Sequence, residues 1–348
     1  WPALTVDSLE ERLDVEGFNL GQASSTDDRL WDWWQANDLD AESSLGHLDA
    51  LVLGRSFVVV TAGASPNDPP IITVESARNM AATMDPATRT LAAAVRVWER
   101  ADGRTNTWEQ EGLPTGAVLY LPGRNLHYRR VNGVWRVQRE DTFALNEVCV
   151  VPLVNRARLS DRNGVTEMRD VMELTDAACR SLTNLQAAQE FLAVPTRAVL
   201  GATESDFVDQ DGNAQPAWEA YIGRFLALGN EQAKLQQLPG ADLRNFTEVI
   251  NHYAQLVASV TGLPPQYLGQ STVNPASADA IRSSESRLVK RAERRARAFG
   301  ESWERVMRLA LRVMGDADSA AQRLETVWRD PATPTYSAKA DAVVKLFQ

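Results

Sequence analysis

Only two cysteines, Cys149 and Cys179, occur in 348 residues. That is too few for a disulfide framework or a cysteine-rich zinc site. The three histidines, His47, His127 and His252, are scattered, with no Cys or Asp at ligand spacing. No metal and no cofactor are expected. No apolar run approaches the ~18 residues of a membrane-spanning helix, so no membrane association is expected. The opening residues Trp1-Pro2-Ala3-Leu4 include neither a basic region nor a methionine; they predict no signal peptide and a trimmed N-terminus. P-loop, GxGxxG, G-x-S-x-G and H-E-x-x-H patterns are all missing. Cys179 falls on a helical stripe and is expected to be buried rather than nucleophilic. The sequence therefore reads as no enzyme, with a metal-independent hydrolase as the rival class. Basic residues are in deficit, 36 Lys+Arg against 46 Asp+Glu, for a net charge of -10. That balance excludes a protein that coats nucleic acid with a basic face, but not one that lets DNA slide past.

What the chain does have is ordinary globular composition, 44% hydrophobic and 24% charged, and length for about two domains. Residues 27–54 read as one helix, with Asp27 and Asp28 at the favourable end of its dipole and Gly54 ending it. The run Ser56-Phe57-Val58-Val59-Val60-Thr61 suits a buried strand. From Ala81 to Arg139, turn signals separate short strands; Asn132-Gly133 between Tyr128–Val131 and Val134–Val137 is the strongest hairpin signal. Another strand covers Cys149–Val154, and Thr166 can cap a helix.

Two helices of similar length then bracket a small mixed segment. In the first, 173–192, Leu174, Ala178, Leu182, Leu185 and Leu192 share a face. The insert has strands at Arg197–Leu200 and Ala233–Leu238, an acidic loop at 204–213 and a helix opened by Pro216. The second helix, 242–261, carries Phe246, Val249, Ile250, Tyr253, Val257 and Val260 on one stripe. It stops at Thr261-Gly262-Leu263-Pro264-Pro265, after which Gln266–Ala276 has no period. A helical stripe restarts at Ile281 and runs to Gly315. A last helix is expected near Ser337–Phe347.

Several blocks resemble the phage portal protein family, in the branch typified by the SPP1 portal and its actinobacteriophage relatives. They are Leu30–Asp40 with His47–Val58, Val151–Glu167, Ala187–Arg197, Val260–Gly269 with Asn274 and Ser277–Ile281, and Trp328–Pro331 with Ala340–Ala342. The resemblance implies an α+β portal fold with a β-rich wing, a two-helix stem, a small αβ clip, a long inner helix and a partial crown. On this sequence the wing would cover 1–172, stem helix one 173–192, the clip 193–241 and stem helix two 242–262. The channel loop would be 263–276, the inner helix 277–315 and the crown connection 316–348. It further implies a homo-oligomeric ring, expected to be a dodecamer, at one capsid vertex of the virion. The implied partners are double-stranded DNA, bound non-specifically, the major capsid protein, the large terminase and head-completion or adaptor proteins. Another head-tail adaptor or a minor capsid protein is the structural alternative.

Three groups of site residues follow. Gln270, Ser271, Thr272 and Asn274 would line the pore with short polar groups that graze phosphates without gripping them. On the inner helix, Arg287, Lys290, Arg291, Arg294 and Arg295 belong to a stretch, 282–297, with seven basic residues against Glu285 and Glu293. That stretch reads either as a phosphate-attracting belt or, the favoured reading, as a solvated face with ion pairs to acidic neighbours. In the clip, Glu204, Asp206, Asp209 and Trp218 are the partner-docking candidates. The spacing of Asp206, Asp209 and Asp211 does not complete a calcium loop and reads as a turn. The ten tryptophans are expected as core and interface anchors rather than base-stacking platforms.

Overall fold

The computed structural model describes all residues except 21–25, 66–67, 99–113, 193–196, 201–233, 238–242, 271–277, 317–322 and 333–348. Helix α1 (Pro2–Glu10) leads to strand β1 (Val15–Leu20), helices α2 (Asp28–Ala36) and α3 (Leu39–Leu53), and strands β2 (Arg55–Thr61) and β3 (Ile71–Ser76). Strands β4 (Met80–Met84), β5 (Leu91–Trp98), β6 (Gly116–Leu121), β7 (Arg124–Val131), β8 (Val134–Thr142) and β9 (Val150–Val154) follow. Next come α4 (Arg169–Leu192), β10 (Arg197–Leu200), β11 (Lys234–Gln237) and α5 (Arg244–Thr261). A short 3-10 turn (Pro265–Leu268), α6 (Ala278–Val313) and β12 (Leu324–Trp328) complete the order.

The chain divides into two compact units, one of Trp1–Glu173 with Val257–Gln348, the other of Leu174–Leu256. The smaller unit holds most of α4 and α5 and the antiparallel β10–β11 pair. The larger unit has a three-stranded sheet, β3-β2-β9, a five-stranded meander, β4-β5-β6-β7-β8, and the β1–β12 pair. Its centre is β2, and the sequence Phe57-Val58-Val59-Val60 explains why. Val58 and Val60 belong to the cluster formed with the helices, whereas Phe57 and Val59 join the cluster under the meander. A strand buried on both faces needs a continuous apolar run rather than an alternating one. β9 divides in the same way, Val151 and Leu153 to the helices, Val150 to the meander. Pro152 is tolerated because β9 is an edge strand, and its carbonyl accepts from Ser302 Oγ of α6 at 3.0 Å.

The residues expected as one helix over 27–54 form two. Asn37 ends α2, donating from Nδ2 to the carbonyls of Trp33 and Pro70 and accepting at Oδ1 from Ile72 N–H. Asp38 then adopts φ 51, a left-handed value that Asp tolerates better than most residues. A tertiary tie to β3 thus overrides the helical stripe. α1, β1 and β12 are elements that the sequence pattern does not announce. β12 pairs with β1 across most of the chain length, from Leu20↔Leu324 to Val15↔Trp328. Cys179, expected to be buried, is exposed on α4, as are Met172 and Leu182 of that helix. Of the stripe on α4, Ala178 is buried, but nothing among the described residues covers Leu182. The acidic loop 204–213, the helix at Pro216 and the helix near 337–347 lie outside the described residues.

The second half of α6 is the core of the larger unit. Phe299, Trp303, Val306, Met307 and Ala310 are fully buried at i, i+4, i+7, i+8, i+11 spacing. His47 of α3 is buried among them, stacked on Phe299 with 5.1 Å between ring centroids. Its Nε2 accepts from Trp303 Nε1 at 2.8 Å, which places the imidazole proton on Nδ1, towards the Leu13 backbone. Burial pushes the His47 pKa down from 6.5 to about 3. The folded state therefore binds fewer protons than the unfolded chain between those values. Stability contributed here is intact above pH 6.5 and falls as pH drops below it, by about 1.4 kcal/mol per pH unit. His47→Gln keeps an acceptor for Trp303 and removes the titration. Denaturant melts between pH 7 and 5 are expected to show a smaller pH slope in the variant than in the parent.

Candidate functional site

The residues around the base of α6 are positioned by two close backbone approaches. At the first, Gly54 (φ 91) ends α3 and lies against Gly164 (φ 84). A Cβ on Gly164 would stand 2.1 Å from the Gly54 carbonyl oxygen, so only glycine fits there. Asn155 N–H donates to that same carbonyl at 2.9 Å, and Asn155 Nδ2 donates to Val165 O at 2.7 Å. The chain then runs back along α3, with Glu167 N–H donating to Leu51 O at 2.8 Å. Thr166 Oγ1 accepts from Met168 N–H at 3.1 Å and opens the turn into α4, the capping role its sequence position predicts.

This path delivers the Glu167 carboxylate, with no exposed side-chain surface, to α6. Arg291 Nη2 donates to Oε2 at 2.7 Å and Arg295 Nε to Oε1 at 2.6 Å. Arg156 stands 3.9 Å from the same carboxylate and pairs with Asp170 at 3.0 Å. Burial lowers the Arg291 pKa, and Glu167 opposes that shift. One buried anion thus holds two turns of α6 at the point where α4 starts.

The second close approach is at the end of α5. Gly262 (φ 72) terminates the helix, donating its N–H to Ala258 O at 2.8 Å. The aliphatic part of Arg287 fills the space where a Gly262 Cβ would be. Arg287 Nη1 donates to Ser259 O at 2.7 Å, so a cation caps the negative end of the helix dipole. Leu263 is buried. Tyr267 OH donates to Glu285 Oε1 at 2.9 Å and accepts from Arg12 at 3.4 Å, while Gln266 Nε2 donates to Ser284 Oγ at 3.2 Å. The segment predicted to be without regular structure from 266 thus begins with an ordered 3-10 turn fastened to Arg12, just past α1, and to α6. Prolines at 264 and 265 favour such a turn, with Gly269 (φ 77) closing it.

The basic candidates therefore separate. Arg291 and Arg295 are turned into the fold and committed to Glu167, and Arg287 caps α5. Lys290 pairs with Glu293 along the helix at 2.5 Å. Arg294 is exposed, with no partner among the described residues. Four of the five candidates thus have partners within the chain. Gln270 follows the 3-10 turn, its N–H donating to Pro265 O at 3.3 Å. Ser271, Thr272 and Asn274, and the clip candidates Glu204, Asp206, Asp209 and Trp218, lie outside the described residues. Glu167, Tyr267 and Glu285 were not singled out from sequence. The Gly164-Val165-Thr166-Glu167 block carried the signal, but only its threonine was given a role. Among the described residues no group of three His, Cys, Asp or Glu is placed to hold a metal ion. A cleft of about 340 Å³ beside α6 is lined by Arg89, Arg305, Arg312 and apolar side chains, with Arg312 paired to Glu147 at 2.7 Å.

The fold matches that of chains in gene transfer agent particles. One, described as the virion of a native particle, has a TM-score of 0.56 at 15% identity, covering 99% of this chain and 83% of that one. Another, from the neck of an empty particle computed with C6 symmetry, has a TM-score of 0.58 at 14% identity, covering 99% and 84%. In sequence, the portal protein of Mycobacterium phage D29 is 44% identical over 357 residues, covering the whole chain and 72% of that protein. The portal protein of Mycobacterium phage L5 is 43% identical over 361 residues, with the same coverage. The family model described as phage portal protein, SPP1 Gp6-like, matches residues 1–348. The chain belongs to the phage portal protein family.

Neutralising Glu167 leaves the buried guanidinium groups facing one another. Glu167→Gln is expected to cost about 3–5 kcal/mol of stability. Replacing Glu167, Arg291 and Arg295 together by Leu, Met and Met is expected to recover most of that loss. Denaturant unfolding of the three proteins measures both.

Proposed function

We propose that copies of this chain form a closed ring at one vertex of a phage capsid, through which double-stranded DNA enters and leaves. Family membership supports the role, and one observation carries the ring. On α5, Val249, Leu256 and Val260 are exposed at 42%, 36% and 44%. With Tyr253 they fall at heptad-like spacing, with the buried Ala258 on the far side of the helix and the buried Val257 beside them. An apolar seam of this kind is stable in water only against another surface. A ring supplies it, each copy presenting two different faces to its neighbours.

In this reading 1–172 is the wing, 173–192 and 242–262 the stem, 193–241 the clip and 263–276 the channel loop. Residues 277–315 form the inner helix, and 316–348 lead towards a crown. The compactness of Leu174–Leu256 supports treating clip and stem as a unit apart from the wing. The fastening of Tyr267 and Gln266 supports a fixed root for the channel loop. The protein has no catalytic step of its own; a terminase supplies the energy. That motor and the adaptors dock at the clip, through Glu204, Asp206, Asp209 and Trp218, and the capsid protein surrounds the wing.

Negative-stain images are expected to show rings of about a dozen subunits with a central hole; a stable monomer at micromolar concentration contradicts the reading. Ser271→Arg with Thr272→Arg is expected to leave those rings intact and to reduce packaged DNA severely, because arginines grip phosphates that the native loop releases. Unchanged packaging contradicts the role given to the loop.

A further inference from the structure

The cleft of about 340 Å³ beside α6 touches neither the Glu167 clamp nor the loop after α5. Its floor is apolar, with Met84 and Leu91 from the β4–β5 hairpin, Val151 and Pro152 from β9, and Leu309 from α6. A second cleft of about 220 Å³ shares Met84, Leu91 and Pro152 with the first and adds Arg55, Phe57 and Arg162. The two therefore adjoin as one groove. It follows two strands that are edges among the described residues, β4 of the meander and β9 of the three-stranded sheet. Arg55 is already engaged there. Its Nη1 donates to Asn163 Oδ1 at 2.8 Å, and its guanidinium lies 5.6 Å from the Phe57 ring centroid.

The rim of the groove is cationic. Arg305, Leu309 and Arg312 fall at i, i+4, i+7 on one face of α6, and Arg89 lines the same cleft from the hairpin. Arg312 is committed to Glu147 at 2.7 Å. Arg89, Arg305 and, in the second cleft, Arg162 are exposed, with no ion-pair partner among the described residues. Acids outnumber bases 46 to 36 in this chain, so three arginines beside one groove without an acid are an exception to its balance.

Arg89 is also held under strain. Its φ of 60 is left-handed, a conformation that Gly, Asn and Asp adopt more readily than arginine. The turn around it is fixed, with Arg89 N–H donating to Asp85 O at 2.8 Å and Asp85 N–H to Thr90 O at 2.9 Å. Asp85 Oδ1 accepts from Ala87 N–H at 2.7 Å and Thr88 N–H at 3.1 Å, so the acid of this turn is engaged by its own backbone. The register of the hairpin shifts between Thr83 and Met84, an irregularity of the kind that re-aims side chains. A strained arginine on the rim of a cleft is placed for a contact outside its own turn.

We infer that this groove is a docking site for an acidic, extended segment of a partner protein. Its carboxylates would meet Arg89 and Arg305, and its apolar side chains would lie on Met84 and Leu91. Charge complementarity selects such a partner, and guanidinium groups pair with carboxylates through strong, directional hydrogen bonds. An extended chain sends alternate side chains to opposite faces, and edge strands accept such chains. A DNA duplex offers phosphates but no side chain for an apolar floor. The groove belongs to a single copy of the chain and does not depend on ring formation.

The test uses the full chain and a fluorescein-labelled peptide of alternating glutamate and leucine, about eight residues long. Fluorescence anisotropy reads binding at low and high salt, with a glutamine-leucine peptide, inorganic phosphate and duplex DNA as competitors. Saturable binding that weakens with salt is expected. Arg305→Glu and Arg89→Gly are each expected to weaken it at least about tenfold. Arg78→Glu, outside both clefts, is expected to leave it unchanged. Arg89→Gly is also expected to melt no lower than the parent, because glycine adopts a left-handed φ without strain; a clearly lower melting temperature overturns the role given to Arg89. A parent that does not bind overturns the inference, as does equal binding of the glutamine peptide or unchanged binding in either groove variant. Displacement by phosphate alone reduces the groove to a simple anion site, and displacement by duplex DNA makes it a nucleic-acid surface; each overturns the inference. If Arg305→Glu unfolds, Arg305→Gln replaces it, with weaker binding again expected and unchanged binding overturning the inference.

Discussion

A single buried carboxylate sets the geometry on which the rest of the larger unit depends. Glu167 is inserted between the end of α3 and the middle of α6, neutralising Arg291 and Arg295 together. Neither partner has an alternative. The carboxylate has no water-facing surface, and the guanidinium groups are largely enclosed. Such a cluster costs more to desolvate than it returns in net stability, so its value is positional. It fixes which turn of α6 faces α3, and α4 starts two residues later. The glycine contact between Gly54 and Gly164 lets the two segments approach, since a Cβ on Gly164 would stand 2.1 Å from the Gly54 carbonyl oxygen.

Beyond that clamp, α6 changes character along its length. From Leu288 to Leu311 it has a buried stripe, shared by β2, β9 and the first three helices. Between 283 and 287 it is held by polar contacts to the end of α5 and to the root of the loop that follows it. One helix therefore has a packed stretch from Leu288 to Leu311 and, just ahead of it, a stretch held by polar contacts.

Much of this was legible in the sequence, because strong periodicity and turn chemistry survive burial. The Phe57–Val60 run, the Asn132-Gly133 turn, the Gly262 stop and the long α6 stripe each had one physical reading. The misses share a cause. Asn37 breaks a helical stripe because its amide is claimed by β3, a partner that local pattern cannot reveal. β1 and β12 are short and exist through pairing with each other, and α1 through packing on α3 and α6. Arg291 and Arg295 looked like surface charge because the acid that buries them lies 124 and 128 positions away. Cys179 and the α5 seam differ from these, since nothing among the described residues covers them.

The central claim is that α6 is clamped from Arg291 onwards, whereas 283–287 are held only by polar contacts. Native-state hydrogen exchange on the intact protein tests it most directly. Amides from 292 to 311 are expected to exchange only with global unfolding of the larger unit, while those from 283 to 287 open locally and faster. Uniform exchange along the whole helix, or faster exchange in its second half, contradicts the account.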